Sequence, residues 1–277
     1  MLISVLMPVR NGEAYVAEAI ESVLAQTHDE LELIVVDDGS DDETPSILAS
    51  YRDPRLHVIR QEPTGLVPAL RRALAEARGD VLARMDADDV SLPGRLERQL
   101  RALGADERLG VVGCAIETID DAGRVTGSWS LPSDDAALRR RLLLRNPFTH
   151  GAVVLRRSAV EDAGGYQPGY GANEDYDLWR RIARNWRLGA VPEVLYRYRV
   201  HPAAVTKTRV EERIAARERL RDELWRDPAL LRALDGEREL VEARALAREA
   251  LRRRRLALGA RLATQALRLQ LRPTSLS

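Results

Sequence analysis

The sequence predicts an α/β protein: a mostly parallel central sheet flanked by helices, followed by a helical C-terminal extension. Three observations lead there. Apolar runs of strand length alternate with segments of helical periodicity over the first 120 residues. The strand runs are apolar at successive positions, as strands covered on both faces must be. From about Thr208 to about Leu271 the periodicity is helical alone, interrupted at Asp227-Pro228.

Taken in order, Leu2 to Met7 is a short β-type run. Glu13 to Gln26 then sets Val16, Ala19, Ile20, Val23 and Leu24 on one helical face. Leu31 to Val36 is a β-branched strand ending at Asp37-Asp38-Gly39-Ser40. Thr44 to Tyr51 is helical, and Leu56 to Ile59 is a third strand. Leu66 to Arg78 is a helix closed by Gly79, and Val81 to Met85 is a strand running into Asp86-Ala87-Asp88-Asp89. Pro93 to Leu103 is a helix with proline in its first turn, and Val111 to Ile119 is a fifth strand. Beyond Asp120 the expected elements are strands at Arg124 to Ser130, Gly151 to Arg156 and Val194 to Val200, with helices at Asp134 to Leu144 and Glu174 to Trp186. The expected division is an α/β domain over 1–206 and an Arg/Leu-rich helical extension over 207–277.

Composition excludes several classes. Of 277 residues, 45% are hydrophobic, too many for a disordered chain, and no run approaches the roughly 20 apolar residues of a membrane span. Met1 to Val9 has no basic leader and no small-residue cleavage site, so it is not read as a signal peptide. The single cysteine, Cys114, has no internal disulfide partner and fits a reducing compartment. The expected location is therefore the cytoplasm, including the inner face of the membrane. Of 43 basic residues only Lys207 is lysine; arginine use on this scale reflects composition bias, and no nucleic-acid partner is expected.

The net charge of zero conceals an asymmetry. Arg244 to Ser277 carries nine arginines against one acid, Glu249, a net +8, so residues 1–243 carry −8. Leucines at 246, 251, 256, 258, 262, 267, 269 and 271 run among these arginines. Such a helix either packs on the domain or a second subunit, giving a homodimer through 244–272, or lies peripherally on an anionic membrane surface.

No G-x-x-x-x-G-K-[ST], G-x-G-x-x-G, H-E-x-x-H, G-x-S-x-G or C-x-x-C motif is present. A phosphorylated ligand would need another means of neutralisation. Open α/β sheets bind ligands beyond the carboxyl ends of their strands, and three suspicious clusters stand there: Pro8-Val9-Arg10-Asn11, Asp37-Asp38 and Asp86-Ala87-Asp88-Asp89. Turn formation and helix capping are the plain explanation for Asp37-Asp38-Gly39-Ser40. Three acids in four positions after a β-run exceed what capping requires. A hard divalent ion, Mn²⁺ or Mg²⁺, would reconcile them and clamp a diphosphate. Glu174-Asp175 opens a helix, where acids are common for dipole reasons alone, and His201 follows a strand.

The order of these clusters resembles the family 2 glycosyltransferases of GT-A fold. The resemblance is carried by Ser4-Val5-Leu6-Met7-Pro8-Val9-Arg10-Asn11-Gly12, Ala19 to Thr27, Glu32 to Ser40 and Ala83-Arg84-Met85-Asp86-Ala87-Asp88-Asp89. It continues through Gly164-Gly165-Tyr166, Glu174-Asp175-Tyr176-Asp177-Leu178-Trp179 and Tyr198-Arg199-Val200-His201, spanning about residues 3 to 202. It implies nucleobase contacts at Pro8, Val9, Arg10 and Asp38, a ribose and metal contact at Asp86, metal ligation at Asp88 and His201, and Asp175 as catalytic base. It further implies a nucleoside-diphosphate sugar donor of UDP or dTDP type, Mn²⁺ or Mg²⁺ as cofactor, inversion by a single displacement, and a glycan or lipid-linked acceptor. The chain departs from the family at Leu70-Arg71, where Leu-Asn is usual, at Arg10, where tyrosine is frequent, and at Gly151, where Pro or Ser follows the histidine. Two other readings, a sugar nucleotidyltransferase and a non-catalytic nucleotide-sugar-binding protein, are set against it. The first wants a Gly-rich, Lys-bearing loop near the N-terminus, and the second is at odds with an intact acidic set.

Overall fold

A computed structural model describes residues 1–202 and 210–231. Residues 207–209 and 232–277 of the expected extension, including the basic 244–272 segment, lie outside the described residues. The described chain contains β1 (Ile3–Val9), α1 (Val16–Leu24), β2 (Leu31–Asp38), α2 (Thr44–Ser50), β3 (Leu56–Gln61), α3 (Leu66–Glu76) and β4 (Val81–Arg84). Then follow β5 (Val90–Ser91), α4 (Arg95–Ala105), β6 (Leu109–Ile119), β7 (Val125–Trp129) and α5 (Asp135–Leu144). A 3₁₀ turn at His150–Ala152, β8 (Val154–Arg156), α6 (Arg157–Asp162), α7 (Glu174–Ile182), β9 (Arg187–Arg199), α8 (Val210–Arg226) and α9 (Pro228–Leu231) complete it.

The strands form one sheet in the order β3-β2-β1-β4-β8-β6-β9-β5, with β7 paired to β6. The first half, β3-β2-β1-β4, is wholly parallel as the βαβ pattern requires. Beyond β4 the sheet is mixed: β8 is antiparallel to both β4 and β6, while β6 and β9 run parallel. Only β6 and β7 are joined there by a short hairpin, and the other antiparallel pairs join strands distant in the sequence.

Alternate residues of each central strand feed opposite cores. Ile3, Val5, Met7, Leu33 and Val35 meet Val16, Ala19, Ile20 and Val23 of α1, with Leu48 and Leu96. Leu6, Ile34 and Val36 meet Ala69 and Ala73 of α3 on the other face. A further cluster on that side joins Leu138 and Leu142 of α5 to Leu178, Trp179 and Ile182 of α7 and Leu220 and Leu224 of α8. Fully buried strands on two helix-covered faces explain the continuous apolar runs in the sequence.

Four elements differ from the sequence expectation, the two-residue β5 among them, for which no strand was expected. The strand expected at Val194 begins at Arg187, because Pro192 and Glu193 bulge out as the pairing jumps from Cys114–Val191 to Ala115–Val194. Proline has no N–H for a ladder, so a bulge is where a strand accommodates it. The strand expected at Gly151 starts only at Val154, after the 3₁₀ turn, and the six-residue α6 was not anticipated. Among the described residues no helix is long and apolar enough to cross a membrane.

Candidate active site

Parallel pairing brings the carboxyl ends of β1, β2 and β4 to one edge. Val9 pairs with Asp37, Asp37 with Arg60, and Leu6 with Arg84, so the three loops expected to carry chemistry emerge side by side. Pro8 is buried and pairs with Val36 beyond the point where β4 has ended, so its missing N–H leaves no gap in that ladder. Val9 is buried and Arg10 is exposed at the rim. Asn11 adopts φ 53°, a left-handed conformation that Asn tolerates, and its N–H donates to Ser40 Oγ at 2.9 Å.

Asp38 is buried and already well occupied. Its Oδ1 accepts from Thr64 N–H, Gln61 Nε2 and Thr64 Oγ1 at 2.8–3.0 Å, and its Oδ2 from Gly65 N–H at 2.7 Å. Burial pushes its pKa up, but those hydrogen bonds outweigh burial and hold it below the ordinary value. Asp38 thus fastens the β3–α3 loop, and Oδ2 keeps room for one further donor. Asp37, 1% exposed, caps Ser40 N–H through Oδ1, while its buried Oδ2 has only Arg60 at 3.6 Å.

The Asp86–Asp89 loop divides into distinct tasks. Asp86 Oδ1 bonds Arg84 Nη2 at 2.6 Å, and Arg84, 1% exposed, also donates to the carbonyls of Leu6 and Met85. Burial raises the pKa of Asp86; Arg84 opposes the shift and Asp88 adds to it. Asp88 Oδ2 lies 2.9 Å from His201 Nε2, both side chains part-exposed, and the His201 ring leans on Tyr15 at 5.2 Å. Asp89 is structural: Oδ1 accepts from Arg199 N–H and Oδ2 from the Tyr196 hydroxyl, each at 2.7 Å, which ties β9 to this loop.

Asp88 and His201 together offer a hard oxygen and a borderline nitrogen open to solvent, a donor pair that fits Mn²⁺ or Mg²⁺. Asp86 stands beside them but faces Arg84. Among the described residues no three His, Cys, Asp or Glu side chains converge as a ready cation cage, so a bound ion would draw its remaining ligands from a diphosphate.

Across the site, α7 presents Glu174 and Asp175 in its first turn, 5% and 8% exposed. Asp175 Oδ2 accepts from Asn146 Nδ2 at 2.6 Å and Oδ1 from Tyr176 N–H at 2.7 Å. Burial lifts the pKa of Asp175 to about 6 against those two hydrogen bonds, with Asp86 adding to the rise. Burial and the neighbouring Asp175 lift Glu174 further, to about 7. His150 Nδ1 lies 3.8 Å from Glu174 and Nε2 lies 2.9 Å from Tyr166 Oη; burial and Arg84 hold this imidazole neutral, well below its ordinary pKa. The buried Arg84 charge acts on Asp86, Glu174, Asp175 and His150 alike, which makes the two sides one electrostatic site.

The eight residues expected in the site stand at the carboxyl ends of β1, β2 and β4, just after β9 and in the first turn of α7. Arg84, Asn146, His150, Tyr166 and Tyr196 were not given roles by the sequence. Arg84 could have been noticed, since an arginine inside an apolar strand demands a partner. Gly151 also gains a reason. A Cβ there would overlap the Tyr196 hydroxyl and stand 2.7 Å from Asp86 Oδ2, so the side chain usual at this position has no room.

A curled mixed sheet with flanking helices is the GT-A fold. The chain belongs to glycosyl transferase family 2, whose model matches residues 4–164. It is 33% identical over 213 residues to the O-antigen biosynthesis glycosyltransferase WbnJ of Escherichia coli, covering 75% of this chain and 83% of that one. Among solved structures, S. aureus TarS 1-349 in complex with UDP-GlcNAc superposes with a TM-score of 0.70 at 20% identity, over 90% of this chain and 73% of that one. The mannosyltransferase PcManGT from Pyrobaculum calidifontis, in complex with GDP-Man and Mn²⁺, gives 0.64 at 23% identity, over 98% and 81%. These two likenesses show the shared fold.

Proposed function

We propose that the protein is an inverting, metal-dependent glycosyltransferase. It moves a sugar from a nucleoside-diphosphate donor of UDP or dTDP type to an acceptor hydroxyl on a glycan or lipid-linked carrier. The product belongs to cell-surface polysaccharide, glycolipid or glycan synthesis, work done in the cytoplasm by the 1–206 domain. Support for the donor class comes from UDP-GlcNAc and GDP-Man in the two neighbours, and for the product from the O-antigen relative.

The observation that carries the reading is Asp175. A carboxylate buried at a helix N-terminus, held by Asn146 and raised to about 6, is ionised at neutral pH yet basic enough to take a proton. Burial lifts both carboxyls, and Asp175, held by Asn146, serves as the base while Glu174 holds the acceptor or the helix. Asp175 removes the acceptor hydroxyl proton as that oxygen attacks the anomeric carbon. The bond from that carbon to the diphosphate oxygen breaks on the opposite face, inverting the centre, and the nucleoside diphosphate leaves. Pro8, Val9, Arg10 and Asp38 line the nucleobase end, and Asp86 meets the ribose. Asp88 and His201, with Asp86 beside them, would hold a divalent cation, which would supply positive charge to the departing diphosphate.

Asp175→Asn tests the assignment. Nucleotide sugars with Mn²⁺ should still stabilise the variant thermally, as a ligand of the folded state does. Transfer should fall by about 10²- to 10⁴-fold, the range for a lost general base. Turnover equal to that of the parent enzyme would overturn the role of Asp175.

A further inference from the structure

Helix α8 lies beyond the segment that the family model matches, yet polar contacts fasten it to the acceptor side of the site. Arg180 of α7, 6% exposed, bonds Asp177 at 2.8 Å and Glu223 of α8 at 3.0 Å. The Tyr170 hydroxyl donates to the same Glu223 carboxylate at 3.2 Å. Arg219 Nη2 donates to the Gly169 carbonyl at 2.9 Å, and Arg184 Nε pairs with Asp227 at 2.6 Å.

Gly169 and Tyr170 belong to the connection from α6 to α7. That connection is left-handed at Gly164, Gly165, Gly169, Gly171 and, at φ 48°, Ala172. An alanine stays in that region only where its surroundings fix it. Asn173 Nδ2 donates to the carbonyls of Tyr170 and Gly171, and its own carbonyl accepts the helical bond from Asp177 N–H at 3.1 Å. A run of directional contacts therefore leads from Glu223 through Tyr170 and Asn173 to the turn that presents Asp175. Packing alone does not call for a carboxylate at position 223. Leu220 and Leu224 already bury the apolar face of α8 in the cluster that also holds Leu138, Leu142, Trp179 and Ile182. Glu223 answers a charge instead: Asp177 is shared between Arg180 and Arg181, so the buried Arg180 draws on a second anion.

We propose that Glu223 is a positioning residue for the reaction, setting the 164–173 connection and the first turn of α7 through Tyr170 and Arg180. This makes α8 a working part of the acceptor side, and it rests on the reading of Asp175 as the base. The test uses the full chain with Glu223→Ala, Glu223→Asp and Tyr170→Phe. In Glu223→Ala, amides of residues 165–176 should exchange with deuterium about tenfold faster, the equivalent of one lost charge-assisted hydrogen bond, while β1 to β4 exchange as before. Hydrolysis of UDP-glucose, UDP-GlcNAc and GDP-mannose with Mn²⁺ should show kcat down by about tenfold to a hundredfold at unchanged donor KM, as for a misplaced catalytic group. Glu223→Asp should recover part of both effects, and Tyr170→Phe should show a smaller loss. Unchanged exchange at 165–176, or loss confined to donor KM, would overturn the proposal. If the parent enzyme hydrolyses none of these three, they are not its donors, and the exchange measurement alone decides the role of Glu223.

Discussion

Glu174 and Asp175 are the residues at which function and stability pull apart. Their pKa values, about 7 and about 6, lie above those of carboxyls in an unfolded chain, so the folded state binds more protons between about pH 4 and 7. Stability from this pair is therefore fully present below about pH 4 and is lost as the pH rises through 6 and 7. With Asp175 as the proposed base, activity has the opposite sign, because a general base works only when ionised. Turnover should rise through about pH 6 and level off above about 7, with apparent values that belong to the pair. Glu174→Gln removes the like charge, and its melting temperature should exceed the parent's at pH 8 by more than at pH 4.5. An equal difference at both pH values would mean that the two carboxyls do not share their titration. Arg84 is the counterweight: Arg84→Met leaves Asp86 without its partner and should destabilise the fold by about 3 kcal/mol, the scale for breaking a buried pair, measured by denaturant unfolding.

At the scale of elements, the 3₁₀ turn His150–Ala152 shows how closely β4, β9 and the site are fitted. Arg95 Nη1 donates to the carbonyls of Arg84 and Gly151 at 3.2 and 2.6 Å, and Tyr196 fills the space a side chain at Gly151 would need. Gly151→Ala should lower stability by about 1–3 kcal/mol through overpacking. It should also reduce the thermal stabilisation given by UDP with Mn²⁺, since Asp86 is the other atom in the way. Retained nucleotide stabilisation would show that Asp86 moves freely. The acidic loops were largely legible in the sequence because their residues close strands: Asp38 and Asp86 follow apolar runs, and a parallel sheet aligns such ends. The facing side was legible only at Glu174-Asp175. Asn146, Tyr166 and Tyr196 reach the site by tertiary packing, with no local period to announce them. The start of β9 was hidden for a different reason, since Gly189 and Pro192 break the apolar run that marks a strand.

At the scale of the whole molecule, zero net charge is the balance of two regions of opposite sign. Residues 1–243 carry −8, and the acidic loops of the cleft are part of that field, whereas residues 244–277 carry +8. A basic, leucine-bearing segment of this kind either packs on protein or meets an anionic surface, and flotation separates the two. Each arginine near such a surface contributes about 1 kcal/mol, within a Debye length of about 8 Å at physiological salt. The full chain should therefore co-float with phosphatidylglycerol vesicles at low ionic strength, release as salt rises, and ignore phosphatidylcholine vesicles. Truncation after Glu242 removes all nine arginines of the segment and should abolish flotation, while UDP with Mn²⁺ stabilises the shortened enzyme as before. A full chain that never floats would instead leave these arginines to protein contacts. Sedimentation would then separate packing on the domain from dimerisation, because only a dimer would dissociate on truncation.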